Sequence, residues 1–193
     1  MSGPQVWDVL LCRHPRPQGA AGRCIGRTDL ALDPRKARRL ARRLDRSARR
    51  EGRPRVVCTS PLRRVADVGR ELRRLGWRHV RDVALLEMDF GQWDGQPWAT
   101  IGPEAVDRWC ADFADHAPGG GESLRALFAR VAAWQPPVAG CTVVGHAGWM
   151  QCARWWRLQG AEPPRQAQDW PPAPAYGEAW RWPAPVAGAI DPQ

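Results

Sequence analysis

Short apolar runs recur along the chain, and each predicts a buried β-strand. The three clearest runs are Val9–Cys12, Val56–Thr59 and Cys141–Gly145, all of which contain β-branched residues. A fourth apolar segment, Val80–Leu86, predicts extended chain that ends at Glu87. Gly177–Trp182 is predicted as a last strand at the edge of the sheet.

Apolar residues at helical spacing fill the gaps between these runs. Asp33 and Pro34 have the residue types of a helix N-cap and a first helical position. The apolar positions that follow recur every three or four residues, at Ala37, Leu40, Ala41, Leu44 and Ala48. Ser60 and Pro61 repeat the same start signal and predict a helix to about Leu75. Further helices are predicted at Pro97–His116, Glu122–Trp134 and Trp149–Leu158.

Strands that alternate with helices are typical of an α/β fold with a largely parallel sheet. We therefore predict a three-layer αβα sandwich. A length of 193 residues is that of one domain. The prediction is a single domain over residues 1–193, with a Pro- and Trp-rich C-terminal segment from about residue 162.

The chain is strongly basic, and this charge leaves two classes of function open. Its formal net charge is +9, and almost all of its basic residues are arginines, with Lys36 as the exception. Arginines cover the outer side of the helix that begins at Pro34, as they do in nucleic-acid-binding helices and in ordinary solvated ones. A basic nucleic-acid-binding protein without catalysis is therefore an alternative to an enzyme that acts on an anionic substrate.

Hydropathy and cysteine spacing bear on location and on metal content. The sequence has no run of about 18 apolar residues and no N-terminal signal-peptide pattern, so a cytoplasmic protein without membrane contact is expected. The six cysteines form no Cys-x-x-Cys pair. We therefore expect no disulfide, no metal site and no cofactor.

Chemically reactive side chains follow the predicted strands. They are Arg13–His14, Thr59–Ser60, Glu87 and His146. The carboxyl ends of parallel strands lie at one edge of a sheet, where open α/β folds bind ligands. Two histidines, an arginine and a carboxylate in one crevice suit phosphoryl transfer, which needs positive charge, a nucleophile and an acid for the leaving oxygen.

Six segments, in order over nearly the whole chain, carry a resemblance to a known family. They are LLCRHP at 10–15, GRCIGRTDLAL at 22–32, TSPLRRVADVGREL at 59–72, LLEMDFGQWDG at 85–95, GGESL at 120–124 and VVGHAG at 143–148. Together they resemble the motifs of the histidine phosphatase (phosphoglycerate mutase-like) superfamily, and most of all its short α-ribazole phosphatase-like branch. One such segment is a weak signal, but six in the right order are specific.

The resemblance implies a metal-independent phosphomonoesterase that hydrolyses a small phosphorylated metabolite through a phosphohistidine. His14 would be the nucleophile, and Glu87 would be the general acid and then the base. Arg13, Arg64 and His146 would bind the phosphoryl oxygens. Backbone groups that match pocket-lining positions are those of Ile25, Gly26, Ala147 and Gly148. In the first loop, Arg27 is favoured as a phosphate or substrate contact over Arg16 and Arg23.

Three features depart from the family's pattern. The asparagine that is usual several residues after the Arg-His pair has no clear counterpart. Pro15 replaces the usual glycine after the Arg-His pair, and Asp94 stands where glutamate is usual. The long insertion that mutases carry between Glu87 and His146 is missing, which favours a phosphatase. A phosphosugar or phosphoglycerate phosphatase or mutase of the same family, and a non-catalytic member that only binds a phospho-ligand, are kept as alternatives.

Aromatic residues suggest the substrate. Candidates to line the mouth of the pocket are Trp93, Trp98, Trp109 and Trp170. Flat aromatic faces beside a phosphate site would suit a heteroaromatic base, as in α-ribazole 5′-phosphate, an intermediate of cobalamin nucleotide-loop assembly. The expected partner is this kind of small metabolite and not nucleic acid, and the protein is expected to be a monomer or a homodimer.

Overall fold

A five-stranded sheet forms the centre of the molecule, and the computed structural model describes residues 8–182. The strands are β1 Val9–Arg13, β2 Val56–Thr59, β3 Arg78–Arg81, β4 Cys141–Gly145 and β5 Ala179–Trp182, in the spatial order β3-β2-β4-β1-β5. β5 pairs antiparallel with β1, and the other pairs are parallel. The predicted largely parallel sheet is confirmed. Residues 1–7 and 183–193 of the predicted single domain lie outside the described residues.

Helices cover both faces of this sheet. They are α1 Pro34–Glu51, α2 Arg63–Arg74, α3 Trp98–Ile101, α4 Pro103–Ala111, α5 Leu124–Ala133 and α6 Ala147–Gln159. Successive residues of a strand point to opposite faces. Leu10 and Cys12 accordingly share a core with α1 and α2, whereas Val9 and Leu11 share one with α5 and α6. This arrangement is the predicted three-layer sandwich.

The start of α1 is the one that the sequence predicts. The Asp33 side chain accepts the Arg35 N–H at 2.7 Å, and the helix ends at Glu51, followed by Gly52, whose φ of +64° lies in the left-handed region that favours glycine. The predicted apolar positions are buried against the sheet, and the arginines lie on the outer side. None of the helices within residues 8–182 has the length and apolar character needed to cross a bilayer.

The prediction that Ser60 and Pro61 start α2 is wrong. The helix begins at Arg63 with Leu62 as its N-cap residue, and the Asp29 side chain accepts the N–H of Arg63 at 2.6 Å. The Ser60 hydroxyl lies 2.8 Å from Nε2 of His146 instead. The same oxygen accepts the Leu62 N–H at 3.3 Å, so Ser60 lies before the helix, and the N–H of the first helical residue is left to Asp29, which is distant in sequence.

The predicted extended segment Val80–Leu86 is correct only at Val80 and Arg81, the last two residues of β3. β3 ends at Arg81, and a turn of 3₁₀ helix covers Val83–Leu85. The Asp82 side chain accepts the Ala84 N–H at 2.9 Å and so starts this turn. Glu87 therefore does not follow a strand directly. It lies on the loop after the 3₁₀ turn, and this loop brings it to the carboxyl edge of the sheet.

Smaller differences concern the remaining helices. The predicted helix Pro97–His116 is divided at Gly102, where φ is +81°. α6 begins at Ala147, two residues before the predicted start, so His146 becomes its N-cap residue. The last edge strand is confirmed as β5, within the predicted range.

Candidate active site

A cavity of about 260 Å³ opens at the carboxyl edge of the sheet. The sequence-predicted residues on its wall are Arg13, His14, Ile25, Arg64, Glu87, Ala147 and Gly148. His146 is fully buried next to them, and its ring centroid is 5.3 Å from that of His14. The fold thus brings the five proposed reactive and phosphate-binding side chains together, while Gly26 and Arg27 lie off the wall.

His14 directly follows β1 and is a buried, uncharged imidazole. Its Nδ1 lies 2.7 Å from the carbonyl oxygen of Pro15. Because a carbonyl only accepts hydrogen bonds, Nδ1 carries the ring hydrogen and Nε2 keeps its lone pair. Burial, followed by the positive charge of Arg64, lowers the pKa of His14 to about 3. Nε2 is therefore available as a nucleophile at neutral pH.

We expect His14 to make the protein less stable as the pH falls from 7 to 5. Its pKa is about 3 in the folded chain against a usual 6.5, so the unfolded chain takes up the proton first and the free energy of unfolding falls. One such site costs about 2 kcal/mol over this interval. In His14→Asn the side-chain amide can still donate to the carbonyl oxygen of Pro15, and the part of the stability loss that comes from His14 should disappear. Urea denaturation at the two pH values measures the difference, and equal losses in both proteins would contradict a neutral, buried His14.

His146 has a free ring nitrogen beside His14. Its Nε2 lies 2.8 Å from Oγ of Ser60, which already accepts the Leu62 N–H at 3.3 Å. The Ser60 hydrogen can thus go to Nε2, which places the ring hydrogen of His146 on Nδ1. This Nδ1 is buried and has no partner among the described residues. A buried donor without an acceptor is costly, and a phosphoryl oxygen on His14 would supply the acceptor.

Arg64 is 1% exposed and is held by the loop that follows β1. Its Nη1 donates to the carbonyl oxygen of Thr28 at 2.8 Å, and its Nη2 donates to that of Gly26. Asp94 fixes this loop, because its Oδ1 accepts the N–H groups of Gly26 and Thr28, each at 3.1 Å, and its Oδ2 accepts that of Arg27. Asp94 therefore positions Arg64 through the loop between them.

The geometry around Gly26 explains how the shorter carboxylate of Asp94 fits. A Cβ atom at Gly26 would lie 2.9 Å from Oδ2 of Asp94 and would collide with the carbonyl oxygen of Met88. Glycine therefore lets the loop approach Asp94 closely. The structure places Gly26 behind the cavity wall, where it contributes a carbonyl group to Arg64.

Glu87 is 7% exposed and lies against the first turn of α6. Its Oε2 accepts the N–H of Gly148, and its Oε1 accepts the N–H of Trp149, both at 3.1 Å. A Cβ atom at Gly148 would lie 2.6 Å from Oε1 of Glu87. The backbone of Gly148 thus serves to fix this carboxylate at the cavity wall.

Arg130 on α5 holds the segment that carries Glu87, and sequence analysis missed it. Its Nη1 donates to the carbonyl oxygens of Ala84 at 2.9 Å and Leu86 at 2.7 Å. Its Nε and Nη2 donate to the carboxylate of Glu122 at 3.0 and 2.8 Å. The spacing held no local signal, because helical side-chain pairs lie three or four residues apart and Glu122 precedes the N-cap residue Ser123 of α5.

The structure reverses the sequence-based preference between two loop arginines, because Arg23 lines the cavity and Arg27 does not. Arg27 is paired with Asp89 at 3.0 Å and Glu122 at 3.7 Å, away from the cavity wall. Arg23 lines the cavity and is exposed, with Nη1 donating to the carbonyl oxygen of Gly95 at 2.8 Å. Arg23 is therefore the loop arginine that a substrate in the cavity can meet.

Three of the four candidate tryptophans line the cavity. They are Trp98, Trp109 and Trp170. Trp93 packs against Trp109 instead, with ring centroids 6.0 Å apart. Because Trp170 and Tyr176 belong to the Pro- and Trp-rich C-terminal segment, that segment forms part of the wall. The Tyr176 contact was missed by sequence analysis, although it is the chain's single tyrosine.

Comparison with known proteins gives a family match and several similar structures. The family model for the histidine phosphatase superfamily (branch 1) matches residues 9–175. Mycobacterial hydrolase 1 is 25% identical, covers 91% of this chain and 90% of its own, and has a TM-score of 0.69. Mycobacterial glucosyl-3-phosphoglycerate phosphatase is 25% identical, with coverage of 90% and 88% and a TM-score of 0.68.

The α-ribazole phosphatase from Shigella flexneri is also similar in structure. It is 24% identical, covers 89% of this chain and 87% of its own, and has a TM-score of 0.66. At this identity the likeness shows the fold alone. No curated protein sequence matches the chain.

Proposed function

Because this chain belongs to branch 1 of the histidine phosphatase superfamily, we propose that it is a metal-independent phosphomonoesterase that works through a phosphohistidine at His14. The observation that carries the proposal is the neutral, buried His14, which lines one cavity with Arg13, Arg64 and Glu87. A nucleophile, fixed positive charge and a proton-transferring carboxylate are the parts that phosphoryl transfer needs.

The reaction follows from these positions in two steps. In the first, Nε2 of His14 attacks phosphorus, a P–N bond forms, and the P–O bond to the leaving group breaks while Glu87 gives that oxygen a proton. In the second, Glu87 takes a proton from water, the water oxygen attacks phosphorus, and the P–N electron pair returns to Nε2. Arg13, Arg64 and His146 would donate hydrogen bonds to the phosphoryl oxygens throughout.

We propose α-ribazole 5′-phosphate as the substrate. Rings of Phe90, Trp98, Trp109 and Trp170 line the cavity, and the leaving group would lie against them. The indole N–H of Trp109 is buried and has no partner in the described part of the chain. A heteroaromatic base offers both a flat face for stacking and a nitrogen that accepts a hydrogen bond.

One observation favours a second candidate, a phosphoglycerate derivative with a carboxylate. Arg23 is the exposed cation on the cavity wall, and a guanidinium pairs well with a carboxylate. One similar structure, at 25% identity, is that of a mycobacterial glucosyl-3-phosphoglycerate phosphatase. The first candidate depends on Trp109 and the second depends on Arg23, so variants of these two residues distinguish the candidates.

A panel of phosphomonoesters assayed by phosphate release tests the substrate. We expect kcat/KM for α-ribazole 5′-phosphate to exceed that for glucosyl-3-phosphoglycerate, 3-phosphoglycerate and fructose phosphates by about tenfold or more, because stacking on a base is worth about 1–3 kcal/mol. Trp109→Phe should reduce this preference and leave p-nitrophenyl phosphate unaffected. If a phosphoglycerate derivative is preferred and Arg23→Ala removes that preference, the second candidate holds.

A further inference from the structure

Tyr176 lies on the cavity wall between two residues of the proposed reaction. Cζ of Arg13 is 3.9 Å from the centroid of the Tyr176 ring, a cation–π contact. The ring of His14 is 5.6 Å away, centroid to centroid. Tyr176 follows the last of the six motif segments, so the family resemblance assigns it no role.

The segment that carries Tyr176 also decides which donors of Arg13 stay free. Nη1 of Arg13 donates to the carbonyl oxygen of Pro174 at 2.6 Å. Nε of Arg13 is buried without a partner within residues 8–182. The guanidinium is a planar fork, and Nε and Nη2 together form an edge that binds two oxygens of a phosphate. With Nη1 occupied and a ring against the guanidinium, this edge is left for a phosphoryl group.

A tight turn holds Tyr176 in place. The N–H of Glu178 donates to the carbonyl oxygen of Ala175 at 2.9 Å, and Gly177, in the third position of the turn, has a φ of +80° that favours glycine. The same turn binds the backbone of Arg13. The N–H of Gly177 donates to the carbonyl oxygen of Arg13 at 3.0 Å, and the N–H of Arg13 donates to the carbonyl oxygen of Glu178 at 2.9 Å. These bonds fix the backbones of Tyr176 and Arg13 relative to each other and so keep the ring close to the guanidinium.

We propose that Tyr176 is a positioning residue, whose ring fixes the Arg13 guanidinium so that its Nε and Nη2 edge meets the phosphoryl oxygens. The inference rests on the proposed function, because the phosphoryl group is the ligand that Arg13 would bind. The flat face of the ring packs on the planar guanidinium. The Tyr176 hydroxyl therefore takes no part in this positioning, and a lysine in place of Arg13 would not be positioned in this way.

Calorimetric titration with inorganic phosphate tests the proposal. Tyr176→Leu should raise the Kd for phosphate about tenfold, equal to about 1.4 kcal/mol. Tyr176→Phe keeps the ring and should stay within about twofold of the original protein. The same two variants should lower kcat/KM for p-nitrophenyl phosphate in the same order.

A double-mutant cycle separates positioning from support of the cavity wall. Arg13→Lys keeps the charge but removes the planar fork, so adding Tyr176→Leu to it should change the Kd by less than about twofold. Arg16→Ala is the matched control, because its Cζ also lies over the ring, at 5.3 Å, but Arg16 does not line the cavity. This control should bind phosphate like the original protein.

Two results would overturn the proposal. One is an equal loss from Tyr176→Leu in the original and the Arg13→Lys proteins, and the other is a Tyr176→Phe variant as weak as Tyr176→Leu. Should circular dichroism show that Tyr176→Leu does not fold, Tyr176→Met replaces it in the same cycle. Calorimetry measures phosphate binding without turnover, so absence of p-nitrophenyl phosphate hydrolysis would refute the proposed function and leave this cycle readable.

Discussion

His14→Ala is expected to lower kcat for p-nitrophenyl phosphate by about three orders of magnitude or more, because it removes the atom that bonds to phosphorus. The nearest imidazole, His146, cannot replace it. Its Nε2 is engaged with Ser60 at 2.8 Å, and it is fully buried. A water molecule would have to attack directly, without the covalent step that divides the reaction.

The matched control for this variant is His116→Ala. His116 is half-buried and does not line the cavity, so its loss should leave kcat and KM unchanged. Steady-state assays of both variants, with folding checked by circular dichroism, give the comparison. A His14→Ala enzyme that keeps a tenth or more of the original kcat would remove His14 from the mechanism.

Glu87→Gln should have an effect that depends on the leaving group. Glutamine keeps the size of the side chain but cannot give a proton to the leaving oxygen. An alkyl phosphate, whose alkoxide leaves poorly without a proton, should lose about 100-fold or more in kcat/KM. p-Nitrophenyl phosphate should lose far less, because its phenolate leaves readily without protonation.

Glu104→Gln controls for the loss of one carboxylate, since Glu104 is exposed on α4 and absent from the cavity wall. It should leave both substrates unaffected. The informative quantity is the ratio of the two losses in Glu87→Gln. A ratio near one would show that Glu87 does not transfer the proton, even if both activities fall.

The sequence predicts best where the signal is local. The bounds of β2 and β4 are those of the apolar runs, and Asp33 and Pro34 start α1 as their residue types predict. Once a parallel sheet is predicted, the shared direction of the strands places Arg13, His14 and His146 at one edge. The end of the predicted extended segment pointed to Glu87 and the family resemblance added Arg64, and both residues line the cavity.

Errors arise where a tertiary contact competes with the local pattern. Ser60 has the residue type of an N-cap, but its hydroxyl contacts His146, and Asp29 accepts the N–H of the first helical residue instead. Val80–Leu86 is apolar enough for a strand, but Asp82 starts a 3₁₀ turn there. Arg27 has the expected charge for a phosphate contact, but Asp89 and Glu122 draw it away. Of these partners, only Asp82 is near in sequence to the residues that it affects.

The arginines proposed to bind phosphate are likewise held by segments that are distant in sequence. Asp94 holds the loop whose carbonyl groups accept from Arg64. Pro174 and Tyr176 hold Arg13 from the opposite end of the chain. A motif identifies which arginine takes part, but only the fold shows what orients it.

The most direct test of the phosphohistidine is to trap it. The enzyme is mixed with a radiolabelled phosphomonoester, quenched in base during turnover, and digested for mass spectrometry. We predict label on the peptide that contains His14, stable in base and lost in acid, and none in His14→Ala. An absence of label on the active enzyme during turnover, or label that is stable in acid and lies on another residue, would contradict the account.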